Sequence, residues 1–188
     1  MADIRYRAEI QHTEKTIQRL YRTQYYAYDK LRLLLRGSLG AALILVAALS
    51  ALPTWGKAVL LLIGAWLVVS GDFPAQLRAD KALEQRKAAL PHMYYTFYGD
   101  HLMLSGEGRM DIPYRKLSRL AQDEQYLYLF VSRDSVCMLE RASLQPQDGE
   151  GFTAFIAEKT GLVWRREKGL LSLNLVDLIL MFRDRRKQ

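Results

Sequence analysis

The spacing of apolar positions divides the chain into three textures. The first is alternation. Over residues 3–11, Ile4, Tyr6, Ala8 and Ile10 point one way while Arg5, Arg7 and Glu9 point the other. Period two with β-formers predicts a half-buried strand. Thr13 then offers a helix cap, because its hydroxyl can accept from an orphan backbone amide. Ile17, Leu20, Tyr21, Tyr28, Leu31 and Leu35 follow at helical spacing, so the helix is expected to run straight on into the next texture.

The second texture is unbroken apolarity over residues 31–73. No charged side chain occurs in 37–56, and after Lys57 none occurs in 58–71. Pro53-Thr54-Trp55-Gly56 interrupts the run, because proline removes a backbone donor and glycine permits a tight bend. The pattern predicts a helical hairpin with spans at about 31–52 and 55–73. Each span of roughly 20 residues would be about 30 Å long, the thickness of a bilayer's hydrocarbon core. Asp72-Phe73-Pro74 marks a break, and residues 75–90 are rich in strong helix formers up to Pro91.

The third texture begins at Pro91. Short apolar runs are punctuated at Gly99-Asp100, Gly106-Glu107-Gly108, Asp123-Glu124-Gln125 and Arg133-Asp134. This predicts six strands in an antiparallel meander: 92–98, 101–105, 109–114, 117–122, 126–132 and 135–140. Asp148 or Gly149 opens a helix that carries Phe152, Phe155 and Ile156 and ends at Gly161. A final apolar stretch, 170–182, is expected to be an interfacial or partner-covered helix, or to pack on the sheet, ahead of a basic tail. If the helices at 13–30 and 74–90 descend from one level, Gln11 comes to lie beside His92. The first strand would then join the six later ones, with the hairpin inserted after it.

Charge sets orientation. Arg5, Arg7, Lys15, Arg19, Arg22, Lys30, Arg32 and Arg36 precede the hairpin, and Arg78, Lys81, Arg86 and Lys87 follow it. The turn carries only Lys57, so both termini are expected in the cytoplasm of a two-span protein of the cell membrane. Tyr25, Tyr26 and Tyr28, with Arg32, Arg36, Trp55 and Lys57, are the expected membrane-interface residues, since amphipathic rings and snorkelling cations favour the headgroup region. The net charge of +7 and pI near 9.5 are accounted for by these flanks, and no nucleic-acid partner is expected. The lone cysteine, Cys137, excludes an internal disulfide and fits a reducing compartment.

The search for chemistry is brief. His92 and His101 could face each other across the Gly99-Asp100 turn, but no cysteine or carboxylate array completes a metal site. Cys137 lies in a predicted strand and reads as a buried, inert thiol. Ser118, Ser132 and Ser135 lack a nucleophile-elbow context, and Asp111, Asp123 and Glu124 read as turn or surface acids. No catalytic residue, metal or cofactor is expected. Gly37-Ser38, Gly40-Ala41-Ala42 and Gly64-Ala65 suit close helix packing, either within the hairpin or against a second copy or another membrane protein.

Phe97-Tyr98-Gly99-Asp100, Ile112-Pro113-Tyr114-Arg115-Lys116-Leu117, Tyr126-Leu127-Tyr128-Leu129-Phe130 and Met138-Leu139 resemble the YcxB-like family of small bacterial membrane proteins. Phe97, Ile112, Pro113, Tyr114, Tyr126 and Phe130 carry the likeness. Where that family usually has a proline-lysine pair before an aromatic, this chain has Glu140-Arg141 and Leu144. The resemblance implies a pleckstrin-homology-like (PH-like) domain at a membrane and brings no catalytic residues. The expectation is therefore a membrane α+β protein, with a transmembrane hairpin inserted in a PH-like antiparallel β domain capped by a C-terminal helix. Its parts are 1–30, a strand and juxtamembrane helix; 31–73, the hairpin; 74–90, a second juxtamembrane helix; 91–168, the β domain; and 169–188, an apolar helix and tail. The expected function is a membrane-anchored, non-enzymatic binding or regulatory module whose partner is the lipid bilayer. The alternative is an immunity protein that shields the membrane from a toxin or antimicrobial peptide.

Overall fold

A computed structural model describes residues 3–85, 90–106 and 108–166. The chain is α+β, with five α-helices and two sheets among the described residues. It forms two compact units: one takes the described residues up to Gln24 and from Arg78 onward, the other takes Tyr25–Leu77. The expectations for 170–182, for the basic tail and for 86–89 lie outside the described residues.

The first unit holds both sheets. Strand β1, Ile4–Gln11, pairs antiparallel with β2, His92–Tyr98, in a register that sets Gln11 opposite His92. The alternation in β1 does what it implies, since Ala8 and Ile10 are buried and Arg5, Arg7 and Glu9 are exposed. Strands β3, His101–Ser105, and β4, Arg109–Pro113, complete a sheet of order β1-β2-β3-β4. Strands β5, Arg119–Gln122, β6, Tyr126–Phe130, and β7, Val136–Glu140, pair in sequence in the second sheet. A two-residue strand, β8 (Trp164–Arg165), adds in parallel to β5, and no periodicity could announce so short an element.

The free edge of β1 is covered from the far end of the second sheet. Arg7 and Gln145 exchange backbone hydrogen bonds at 2.8 Å in both directions. Ser143 donates its hydroxyl to the Glu9 carbonyl at 2.7 Å and accepts from the Glu9 amide at 3.0 Å. Edge pairing of this kind removes a template for aggregation.

Helix α5, Gly149–Thr160, follows, and its ends are as the sequence implies. Asp148 accepts from the Gly151 amide at 2.8 Å, and Gly161 closes the helix at φ 68°, a left-handed conformation that glycine adopts without steric cost. Phe152 of this helix is fully buried, edge-on to Phe97 at 4.8 Å and to Tyr6 at 5.2 Å. Leu102, Leu120, Leu127, Tyr128, Leu129 and Phe130 are likewise fully buried.

Helix α1, Glu14–Tyr28, begins on a reciprocal cap. The Thr13 hydroxyl accepts from the Thr16 amide at 3.3 Å, and the Thr16 hydroxyl accepts from the Thr13 amide at 2.7 Å. The helix does not run straight on. Asp29, at φ −105° and ψ 24°, leaves the helical region, and its carbonyl accepts from Leu33 as the first bond of a new helix. Aspartate is a poor helix-interior residue, which favours a break here although its side chain makes no capping hydrogen bond to α2.

Helix α2, Lys30–Leu49, is long and apolar enough to cross a membrane. It stops at Leu49 rather than Leu52, because Pro53 disfavours helical backbone before it and Ser50 is already extended. Helix α3 is Thr54–Val69, 16 residues or about 24 Å. Beyond a 3-10 turn at Ser70–Asp72 the chain bends by 53° into α4, Phe73–Gln85. Helices α2 and α3 meet at two glycines. A Cβ on Gly40 would lie 2.8 Å from the Gly64 carbonyl oxygen, and one on Gly64 would lie 2.8 Å from that of Gly40. Gly40 and Gly64 thus serve contact between α2 and α3 themselves, whereas Ser38, Ala41, Ala42 and Ala65 are exposed.

Candidate functional site

The site is built where the first sheet turns. Phe97 pairs with Leu102, so Gly99-Asp100 is a two-residue hairpin loop with Tyr98 and His101 at its base. On the other side of β3, His101 sits opposite Pro113, the last residue of edge strand β4, where a missing amide is tolerated. Ile112 is buried opposite Leu102. A 3-10 turn at Tyr114–Lys116 then swings Tyr114 inward, where its hydroxyl donates to the Tyr98 carbonyl at 2.7 Å. Its ring stands edge-on to Phe155 of α5 at 5.8 Å, and burial suppresses its ionisation. The Ile112-Pro113-Tyr114 motif therefore locks strand β4, the hairpin loop and α5 together.

Above this lock lies a cleft of about 620 Å³ lined by Asp100, His101, Asp111, Pro113, Tyr114, Arg115 and Lys159. Its acids are already matched. The Asp100 carboxylate is 2.7 Å from His101 Nδ1, and that hydrogen bond holds the carboxyl below its usual range. The His101 ring is stacked on Tyr98, 4.7 Å away and 18° from parallel. Asp111 pairs with Arg109 at 3.9 Å. Its cations are not matched: Arg115 and Lys159 are exposed and have no ion pair or hydrogen bond among the described residues. The cleft thus sets two paired carboxylates beside two exposed cations.

A smaller cavity of about 230 Å³ opens between α1, α4 and the inner strands, with Ile17, Leu20, Leu83, Met93 and Leu104 in its lining. His12 is its buried polar group, with Nδ1 3.5 Å from the Thr16 hydroxyl.

The remaining candidates fall into structural roles. His92 and His101 do not face each other: His92 pairs with Gln11 and stacks on Tyr94, because the tight turn at 99–100 sets Tyr98, not His92, across from His101. No group of three metal-ligating side chains occurs among the described residues. Cys137 is buried, and burial pushes its thiol up to about 12. Asp123 is a hub rather than a surface acid. It accepts from Arg19 at 3.0 Å, from the Tyr128 hydroxyl at 2.7 Å and from the Gln125 and Tyr126 amides at 2.8 Å.

Of the motif residues, Phe97 and Phe130 are core, and Tyr126 lies under the Arg19 guanidinium at 5.0 Å. Of the expected interface residues, Trp55 is 74% exposed, Arg32 is exposed and Lys57 half-buried. Arg36 donates to the Ser70 hydroxyl at 3.1 Å and lies 5.4 Å over the Trp66 ring. Tyr25 and Tyr26 are buried, in a cluster with Leu33 and Ala75, and Tyr28 is half-buried. Their rings pack in this unit's interior because the kink at Asp29 and the bend after Val69 bring α1, α2 and α4 residues together.

Comparison with protein-family models, curated proteins and solved structures finds no match to this chain.

Proposed function

We propose that this chain is a membrane-anchored, non-enzymatic binding or regulatory module of YcxB-like type. In this reading Tyr25–Leu77 forms a two-span anchor and the β unit is a cytosolic PH-like domain. One observation carries the reading. Of the twenty large apolar residues exposed among the described ones, sixteen lie between Leu31 and Leu77. Soluble surfaces rarely hold so continuous an apolar area, and a bilayer would cover it.

Further support comes from charge and topology. Lys30, Arg32 and Arg36 cluster in the first two turns of α2, and the α2–α3 turn carries only Lys57. The four-stranded sheet β1-β2-β3-β4, the meander β5-β6-β7 and the helix that buries Phe152 support a PH-like reading, with the two-residue β8 one strand beyond the expected seven. Insertion of the anchor between β1 and β2 ties that domain to the bilayer at two points, which suits a module that works at a membrane.

Alkaline extraction of membranes tests the anchor, and reporter fusions at Gln188 and Thr54 test its orientation. The protein is expected to resist extraction, with a cytoplasmic-active reporter at Gln188 and a periplasmic-active one at Thr54. Release into the alkaline supernatant overturns the anchor. A periplasmic-active reporter at Gln188 reverses the topology.

A further inference from the structure

We infer that Arg32 and Arg36 of α2, with Trp66 and Ser70 beside them, hold the phosphodiester of one anionic phospholipid. The inference rests on the reading of Tyr25–Leu77 as a membrane anchor and names the lipid that anchor selects. Arg36 is the only charged residue in 33–56. It lies six residues past Lys30, about 9 Å along the helix axis, and Leu35 and Leu39 near it are exposed. Its guanidinium donates to the Ser70 hydroxyl at 3.1 Å and sits 5.4 Å over the Trp66 ring, which is itself 60% exposed. A guanidinium carries five N–H donors and keeps its charge in proteins. Ser70 takes one donor, and no carboxylate pairs with Arg36 among the described residues. A charge without a counter-ion and N–H groups without acceptors are costly at the edge of hydrocarbon, and lipid phosphate oxygens supply both.

The charge count selects the ligand. Arg32 and Arg36, four residues apart, share a face of α2, and Lys30, two residues before Arg32, lies on another. Asp29 is buried 3.9 Å from Arg32, so Asp29, Arg32 and Arg36 together carry one excess positive charge. A phosphodiester carries one negative charge, and a planar guanidinium can engage two of its oxygens at once. Helical side chains lean toward the helix N-terminus, so both arginines reach back toward the headgroup level. Trp66 suits the same level, where amphipathic rings concentrate. A headgroup with an uncharged alcohol leaves the phosphodiester charge free for the arginines, whereas choline would set a third cation beside them. Phosphatidylglycerol is therefore favoured over phosphatidylcholine.

The test titrates the full chain in detergent with phosphatidylglycerol and, separately, with phosphatidylcholine, and counts bound lipid by native mass spectrometry. One saturable phosphatidylglycerol is expected, bound about tenfold more tightly than phosphatidylcholine. Arg36→Gln should weaken it about tenfold, the loss of a charge-assisted contact, and Arg32→Gln and Ser70→Ala by less. Arg36→Lys, which keeps the charge and loses the fork, should fall between the natural chain and Arg36→Gln, which a misfolded chain would not do. Lys57→Gln, at the other end of the hairpin, should leave binding unchanged. The site is overturned if the two lipids bind alike, or if Lys57→Gln weakens binding as much as Arg36→Gln. Glycerophosphoglycerol, the same headgroup without acyl chains, should not displace the lipid at about 10 mM; displacement would make the ligand a soluble phosphodiester and overturn the lipid. Equal binding of both lipids by a chain that resists alkaline extraction would overturn this site and leave the anchor standing, whereas release on extraction would overturn both.

Discussion

The two units of this chain treat apolar side chains in opposite ways. The β unit hides Phe97, Leu120, Leu127, Tyr128, Leu129, Phe130, Leu139 and Phe152 completely, while only Ile4, Tyr94, Met110 and Val163 remain exposed among its described large apolar residues. The helical unit buries Gly40, Ala47 and Gly64 where its two long helices touch and turns Leu45, Leu49, Leu62 and Trp66 outward. Water drives the first arrangement, because each fully buried large side chain stabilises by about 1.5–3 kcal/mol. The second differs: α2 and α3 approach at Gly40 and Gly64, with Ile44, Leu67 and Val68 beside them, while most of their large side chains face outward. Packing of small residues at close range is what holds helices together where the surroundings are themselves apolar. The outward apolar side chains of the helical unit, beside the closed core of the β unit, are the ground for the proposed anchor.

The contrast can be broken at several points. Deleting residues 3–11 should have the largest effect. It strips β2 of its pairing partner and leaves the Gln145 amide and carbonyl without Arg7, so the β unit should lose its fold and aggregate. Size-exclusion chromatography of the detergent-solubilised chain would read this, and a monodisperse, folded product would show that β1 is dispensable.

Phe97→Ala is next, with an expected cost of about 3–5 kcal/mol from the lost side chain and the cavity left behind. Leu62→Ala, at a side chain 72% exposed, should change denaturant stability by no more than about 0.5 kcal/mol. Equal costs at the two sites would erase the distinction between the units.

Gly40→Val tests the helix contact. The new Cβ meets the Gly64 oxygen and Val68 Cγ2, both at 2.8 Å, so the helices must separate, at about 1–3 kcal/mol. Thermal unfolding in detergent should show the loss, whereas Gly56→Ala, where a Cβ meets only ordinary contacts at 3.8 Å or more, should be nearly neutral to packing.

The smallest effect is a slope. Folded Cys137 keeps its proton up to about 12, whereas the unfolded thiol releases it near 9.0. Between those values the unfolded state binds fewer protons, so stability falls as pH rises, by at most about 1.4 kcal/mol per pH unit. Below 9.0 the contribution is fully present. Buried tyrosines add their own slope above 10.0, so the measurement is the difference between the natural chain and Cys137→Ala across a pH series of denaturant melts. Identical slopes would mean the thiol is not shielded.

What the sequence by itself determined is whatever local spacing can encode. Alternation announced β1, the Gly99-Asp100 and Gly106-Gly108 turns set the meander, and Thr13, Asp148 and Gly161 marked helix ends through side chains and backbone within four residues. Uncharged runs announced the two apolar helices, and the expected neighbourhood of Gln11 and His92 is the register that β1 and β2 adopt.

Tertiary structure decided the rest. The break at Asp29 depends on which neighbours the two helices find, and β8 exists only because β5 offers it an edge. Tyr25 and Tyr26 looked like headgroup anchors because sequence reports that a ring is amphipathic, not whether a partner such as Ala75 waits for it. The cleft is the clearest case. Arg115 and Lys159 are distant in sequence, and whether a cation is free or paired depends on which carboxylates the fold brings near it.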